Sequence, residues 1–469
     1  MGPRSKPYTP EPLVALASLP ALCTAAILIV APRLDPEPLS GLIIGSSLLF
    51  LLPAVLLVPL RHAWPPLILT AEEGDRVLFT RLFWKHLVRA FTIGTVSAPL
   101  VMLLVGLLGR PAGLGGATRV ALANYLMAAS WALPFLAATG VILAACGALG
   151  ARRAARVALI VAALATVATV VLVSRLDISP LYLSFAAGTA APCFAVVFAL
   201  ATTRAVLATG HLSYRPFQTA SDAEHPTGSA PRGPIIWPSI ATGIALAILV
   251  ALASRRGDTA AVAAGTILGP YFALAMLLGG LGLRRAASTA GKFDKRSVAG
   301  LYAVLGTLAV LLMLFSGSLT GVLFPTLEED GRRVIAIALR LSALLILLEP
   351  LAAGVTGLPA GRAQRAITTS CLWLITLPAA GVMLIYLQLN AVAIVLALIA
   401  ARVVAVLLGL LGVALARRAD SGADPATDPA YDVDGMASPE PVRPKGPTRS
   451  RGQSRDQNRA PHSPTTSLR

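Results

Sequence analysis

Two ionisable residues stand where charge is expensive. Glu349 sits in the apolar stretch ALLILLEPLAAG and Arg402 in ALIAARVVAVLL. At a helix centre in lipid, such a charge costs on the order of 2.5–3.5 kcal/mol on insertion scales, so it marks function or a buried partner. Before the C-terminal tail, Glu349 is the one acidic residue expected well inside an apolar span. A carboxylate there would answer to protons or cations; the plainer alternative is a structural carboxylate paired with a buried arginine. Arg402, apolar on both sides, cannot readily snorkel to water. An interhelical Glu349–Arg402 pair is therefore expected, opening and closing or lining a hydrated cavity. Arg340 shares the helix of Glu349. At about 100° per residue the two face opposite sides, so Arg340 is expected to snorkel instead.

Other polar side chains inside apolar stretches are candidates for contacting a substrate: Asn124, Tyr125 and Tyr271, with Tyr182 and Ser184 beside them. Tyr182, near a helix end, reads equally as an interfacial anchor. The four cysteines, Cys23, Cys146, Cys193 and Cys371, fall in apolar spans and show neither metal-type spacing nor a disulfide framework. No phosphate-cradling G-x-x-x-x-G-K-[ST] motif occurs, so ATP hydrolysis within the chain is not expected. No catalytic residue, cofactor or metal is assigned.

The elements that must position these residues follow from composition. Of 469 residues, 56% are apolar and only 13% charged, with mean hydropathy +0.75. Soluble domains carry roughly 25% charged residues. Uncharged runs of about 18 residues or more are long enough to cross a hydrocarbon core as helix. Without polar/apolar alternation they do not read as barrel strands. The expected fold class is an all-α integral membrane protein, with about twelve transmembrane helices in two six-helix bundles around a central cleft. Spans are placed at about 13–32, 41–60, 90–109, 120–149, 157–174, 182–208, 235–254, 260–283, 298–325, 334–358, 366–387 and 391–416. A tight hairpin is expected between the last two.

Net charge is +17, but Lys and Arg cluster in short loops and in the tail rather than on one face, which argues against nucleic acid as a partner. With the N-terminus inside, the internal segments hold most of the Lys and Arg, so a cell-membrane protein with both termini cytoplasmic is expected. The chain divides into an N-terminal arm (1–12), a first bundle (13–208), a Pro/Ser/Gly-rich cytoplasmic linker (209–234), a second bundle (235–416) and a disordered cytoplasmic tail (417–469). No leader with a cleavage site is read at the start, so the first span is expected to be retained. EEGDRVLFTRLFWKHLVRAF, Glu72–Phe91, interleaves Arg76, Arg81, Lys85 and Arg89 with apolar residues. It reads as a basic, headgroup-facing extension of the third helix, with partner binding as the alternative. Pro134, Pro238, Pro270, Pro350 and Pro378 are candidate kinks. A weak repeat relates the halves: each has an acidic external loop, a helix pair, and a Gly/Asp/basic internal turn.

At Arg33–Arg89, where RLDPEPLSGLIIGSSLLFLL leads to AEEGDRVLFTRLF, the chain resembles the multidrug/oligosaccharidyl-lipid/polysaccharide exporter superfamily. A second region of resemblance is Leu348–Leu384, a helix running into a small, basic turn (Gly357, Gly361, Arg362, Arg365) and then a helix with Trp373 and Pro378. The resemblance implies a twelve-helix exporter working by alternating access, either a polysaccharide flippase or a multidrug and toxic compound extrusion-like protein. One departure separates it from the ion-coupled drug exporters: LVALASLPALCTAAILIV, the first span, holds no acid, and neither does the seventh.

Three functions follow as expectations. The first is export of an amphipathic substrate, foremost a lipid-linked saccharide or polysaccharide precursor. The second is proton- or Na⁺-coupled multidrug or metabolite efflux, which Glu349 keeps open. The third is a membrane-embedded glycosyltransferase using Asp35 and Glu37, for which the short external loops leave little room; the chain is not expected to be an enzyme. The expected partners are membrane lipids, the amphipathic or lipid-linked substrate, and a coupling H⁺ or Na⁺.

Overall fold

The computed structural model describes residues 11–108, 115–176, 179–210, 212, 237–288, 295–351, 367, 369–385, 387 and 390–422. Among these, the regular elements are all helices. The first half contains α1 (Glu11–Val30), α2 (Pro36–Leu48), α3 (Leu52–Glu73), α4 (Arg76–Leu108), α5 (Gly116–Ser130), α6 (Ala132–Ala148), α7 (Arg152–Ser174), α8 (Pro180–Gly188) and α9 (Ala190–Leu207). The second half contains α10 (Trp237–Ser254), α11 (Asp258–Ser288), α12 (Lys295–Leu323) and α13 (Glu329–Pro350). A π-helical turn (Leu372–Thr376) then leads into α14 (Leu377–Ile385), and α15 (Val392–Gly422) follows. The arm, most of the linker and nearly all of the tail lie outside the described residues, as does the basic turn at Gly357–Arg365. The last helix continues to Gly422, past the expected end of its span.

Three expected spans are each split into two helices, and one cause explains all three. Proline has no N–H to give the carbonyl four residues back. Pro53 leaves the carbonyl of Leu49 without its helical partner, Pro134 that of Ser130 and Pro192 that of Gly188. The breaks fall at Leu49–Leu51, Trp131 and Thr189. Of these prolines, the sequence pattern had singled out only Pro134. The Gly-Asp-Arg turn has an equally local origin. Gly74 ends α3 in the left-handed region (φ 76°), where a side chain would be strained. Asp75 Oδ1 then accepts from the backbone N–H of Leu78 at 2.9 Å, satisfying a free donor at the start of α4. From there α4 runs unbroken to Leu108, with Arg76, Arg81, Lys85 and Arg89 exposed and Phe79, Leu82, Phe83 and Ala90 buried. The hairpin between the last spans closes at Asn390, whose side-chain Oδ1 accepts from the N–H of Val392 at 3.1 Å.

Seven helices among the described residues are long and apolar enough to cross a membrane. α13 is not one of them, because Arg332, Arg333, Arg340 and Glu349 lie along its length. α4 and α12 turn long rows of Val, Leu, Ile and Phe outward, as lipid-facing helices do.

The described residues up to Arg417 belong to one compact unit. Within it, the two halves of the chain meet through α11, which lies against α1 and α2. Its glycines permit the approach: a Cβ on Gly265 would overlap Ile43, and one on Gly269 would overlap Thr24. Phe50 and Phe272 pack beside this seam with ring centroids 5.0 Å apart. At one end of the seam, Thr326 donates from Oγ1 to the carbonyl of Leu34 at 2.8 Å, joining loops 292 residues apart.

Candidate functional site

The cluster is built by three helices of the second half. α11 delivers Tyr271, α13 delivers Glu349 and α15 delivers Arg402. Each lies on a largely apolar stretch, so polar partners near it are few, and two of them are supplied by the other two residues. Arg402 Nε lies 2.8 Å from Glu349 Oε2. The same Nε–H donates to Tyr271 Oη at 2.6 Å, and that hydroxyl donates to Glu349 Oε2 at 3.0 Å. Nitrogen, hydroxyl oxygen and carboxylate oxygen thus form a closed triangle. The Arg402 guanidinium carbon also stands 5.6 Å from the centroid of the Tyr271 ring, within cation–π range.

The whole cluster is withdrawn from the surface: Glu349 is 4% exposed, Arg402 3% and Tyr271 5%. Taking two charges out of water costs several kcal/mol each. Their attraction repays this only when the remaining lone pairs and protons are bonded, which is what Tyr271 adds here. Removing one charge would strand the other.

The other expected residues are placed as follows. Arg340 does not approach Glu349; it reaches across to α12, where its Nε donates to Ser316 Oγ at 2.8 Å. Its exposed end is consistent with snorkelling, but the hydrogen bond to a buried serine is a finding of the structure alone. Tyr271, considered only as a substrate contact, proves to be the third member of the charged cluster. Tyr125 is fully buried, seated against Gly45 of α2, with its carbonyl under Gly188 of α8. A substrate would reach it only after helices separate. Its hydroxyl lies by the Cys23 thiol without a partner of hydrogen-bond geometry. Asn124, its neighbour on α5, is half-buried and already engaged in an interaction. Tyr182 is exposed near the start of α8, and Ser184 is buried there. Trp373, noted for its place in the sequence resemblance, donates from Nε1 to the carbonyl of Ala241 at 3.2 Å, tying the π-helical turn to α10. No pattern in the sequence signals the Thr326–Leu34 contact, because a side-chain-to-backbone bond leaves no requirement on the residue that supplies the carbonyl.

Comparison with solved structures bears on the fold. The chain is similar to an inward-facing multidrug resistance MATE family transporter of the MOP superfamily, with TM-score 0.66 and 13% identity over 87% of this chain and 99% of that one. An outward-facing structure described in the same terms gives TM-score 0.54 at 14% identity, over 88% and 97% of the two chains. A MOP superfamily transporter from Pyrococcus furiosus, described as having a reversed-polarity binding pocket, gives TM-score 0.54 at 15% identity, over 86% and 95%. No family model and no curated protein matches the chain. At these identities the likeness is one of fold: the chain has the architecture of the MATE transporters across most of its length.

Proposed function

We propose that this chain is a multi-pass exporter of amphipathic small molecules that works by alternating access, with Glu349 as the carboxylate at which H⁺ or Na⁺ acts. The observation that carries this reading is the closed triangle of Tyr271, Glu349 and Arg402, buried on the fold of a transporter group solved in both inward- and outward-facing states. In this reading the twelve helical spans form two six-helix bundles in the cytoplasmic membrane, with both termini inside. That orientation puts the Leu34 and Thr326 loops outside, where their hydrogen bond helps hold the outer end shut. An inward-facing state agrees with the higher TM-score to the inward-facing neighbour.

The coupling step is a contest for one oxygen. When a proton or Na⁺ takes Glu349 Oε2, Arg402 loses its counter-charge while still buried. The cheapest response is movement of α15 or α13 that brings Arg402 to a hydrated cavity. Multidrug efflux is preferred here over lipid-linked saccharide export, because two of the neighbours are described as multidrug resistance transporters, whereas the saccharide substrate rests on the twelve-helix plan, which both readings share, and on the scarcity of membrane acids.

Purified protein in liposomes, loaded with a fluorescent lipophilic cation and given an imposed pH or Na⁺ gradient, tests the proposal. Gradient-driven dye movement that disappears in Glu349→Gln is the expected result. Protein that moves no dye under either gradient, yet translocates a lipid-linked saccharide equally well with and without Glu349, would overturn it.

A further inference from the structure

A groove of about 480 Å³ lies where the turn after α6 meets the end of α9. Gly150, Ala151, Arg153 and Arg156 line it from one side, and Ala208 and Thr209 from the other. Arg153 and Arg156 are exposed, as is Arg204 one turn back along α9. No Asp or Glu occurs anywhere from Gly116 to Leu176, nor from Ser179 to Gly210, so these elements hold no carboxylate to balance the arginines. A concave basic surface without its own counter-charge suits an anion, and a guanidinium suits a phosphodiester in particular, offering paired N–H donors.

A second feature identifies the source of that anion. Immediately beyond Arg156, α7 turns outward an apolar row of Val157, Ile160, Val161, Leu164 and Leu172, with Leu164 66% and Leu172 68% exposed. At about 1.5 Å per residue, this row runs roughly 24 Å from the groove, most of the depth of a hydrocarbon core. A free phosphate would use the groove and leave the row idle. A phospholipid uses both.

We infer that this groove binds the headgroup of an anionic phospholipid, its phosphate against Arg153 and Arg156 and an acyl chain along the outward face of α7. The placement agrees with the internal orientation of the α6–α7 turn, on the side where basic residues meet anionic lipid.

Native mass spectrometry of the purified full-length protein tests this, with phosphatidylglycerol and phosphatidylcholine of identical chains titrated in parallel. The wild type should retain phosphatidylglycerol in preference. The Arg153→Gln/Arg156→Gln double variant should bind it roughly twenty-fivefold more weakly, two charges each contributing about fivefold. Arg153→Lys/Arg156→Lys should keep most of the preference, which separates loss of charge from loss of folding. Arg175→Gln, at the far end of α7, should leave it unchanged. Equal retention of both lipids by the wild type, an unaltered preference in the glutamine variant, or displacement of the lipid by millimolar inorganic phosphate would overturn the inference.

Discussion

The Tyr271 hydroxyl donates to Glu349 Oε2 at 3.0 Å while accepting from Arg402 Nε at 2.6 Å, so a single oxygen fastens α11 to both α13 and α15. Both members of the ion pair are buried, and Tyr271 adds a hydrogen bond to each. Tyr271 turns a costly pair into a bonded network, and the helix that supplies it also forms the seam with α1 and α2. The charge cluster is thereby joined mechanically to the contact between the two halves of the chain.

Removing that oxygen tests the network. Tyr271→Phe keeps the ring and deletes both hydrogen bonds, each made to a charged group. Thermal unfolding in detergent should show a loss of about 2–4 kcal/mol, since hydrogen bonds to charges contribute about 1.5–3 kcal/mol each and do not add fully. A variant as stable as the wild type would show that the hydroxyl is not holding the charges.

Glu349 and Arg402 should be strongly non-additive. Glu349→Gln and Arg402→Gln alone should each lower stability by about 3–5 kcal/mol by stranding the opposite charge. The double variant should lose much less than the sum. A double-mutant cycle on chemical denaturation reads the coupling directly, and additive losses would mean that the charges do not compensate each other.

The seam between the halves should tolerate no added volume. Gly269→Val forces a side chain into Thr24 and should cost about 1–3 kcal/mol as an overpacked contact. Gly306→Ala on α12, where nothing lies within 4 Å of an added Cβ, serves as the control. It should be neutral or gain up to about 1 kcal/mol from helix propensity. Thermal midpoints of the two variants moving in the same direction would contradict this packing.

The Thr326–Leu34 bond should bias the conformational equilibrium. A neutral hydrogen bond is worth about 1 kcal/mol, so Thr326→Val should shift the population away from the closed-loop state about fivefold. Spin labels on the two loops, at the exposed Asp35 and Glu328, report that shift as a growing long-distance population. An unchanged distance distribution would mean that the bond breaks in no populated state.

The helical, membrane-spanning character was legible from the chain alone. Long runs without charge leave a backbone in lipid no partners but its own, and α1, α7, α10, α12 and α15 fall within about six residues of the spans so inferred, while α4 reaches fourteen residues before its span, through the basic extension read there. The Gly74–Asp75 turn was legible for a similar reason: a left-handed glycine followed by a capping carboxylate is a local device that needs no neighbour. The splitting of three spans was less visible, because a proline in an apolar helix is as often tolerated as disruptive, and only its packing decides which. Glu349 and Arg402 stood out because each is a charge in an apolar run, and opposite charges in lipid have few other ways to be accommodated.

Sequence by itself determined which residues must leave water, that those segments are helical, and that Glu349 and Arg402 needed partners. These are decided by transfer free energies and by backbone hydrogen bonding, both properties of short segments. Tertiary structure alone decided that Tyr271 completes the pair, that Tyr125 is sealed within the first half, and that Arg340 reaches Ser316. Those outcomes depend on which faces of distant helices meet, and a hydroxyl on one face of α11 carries no mark of the helices it will touch.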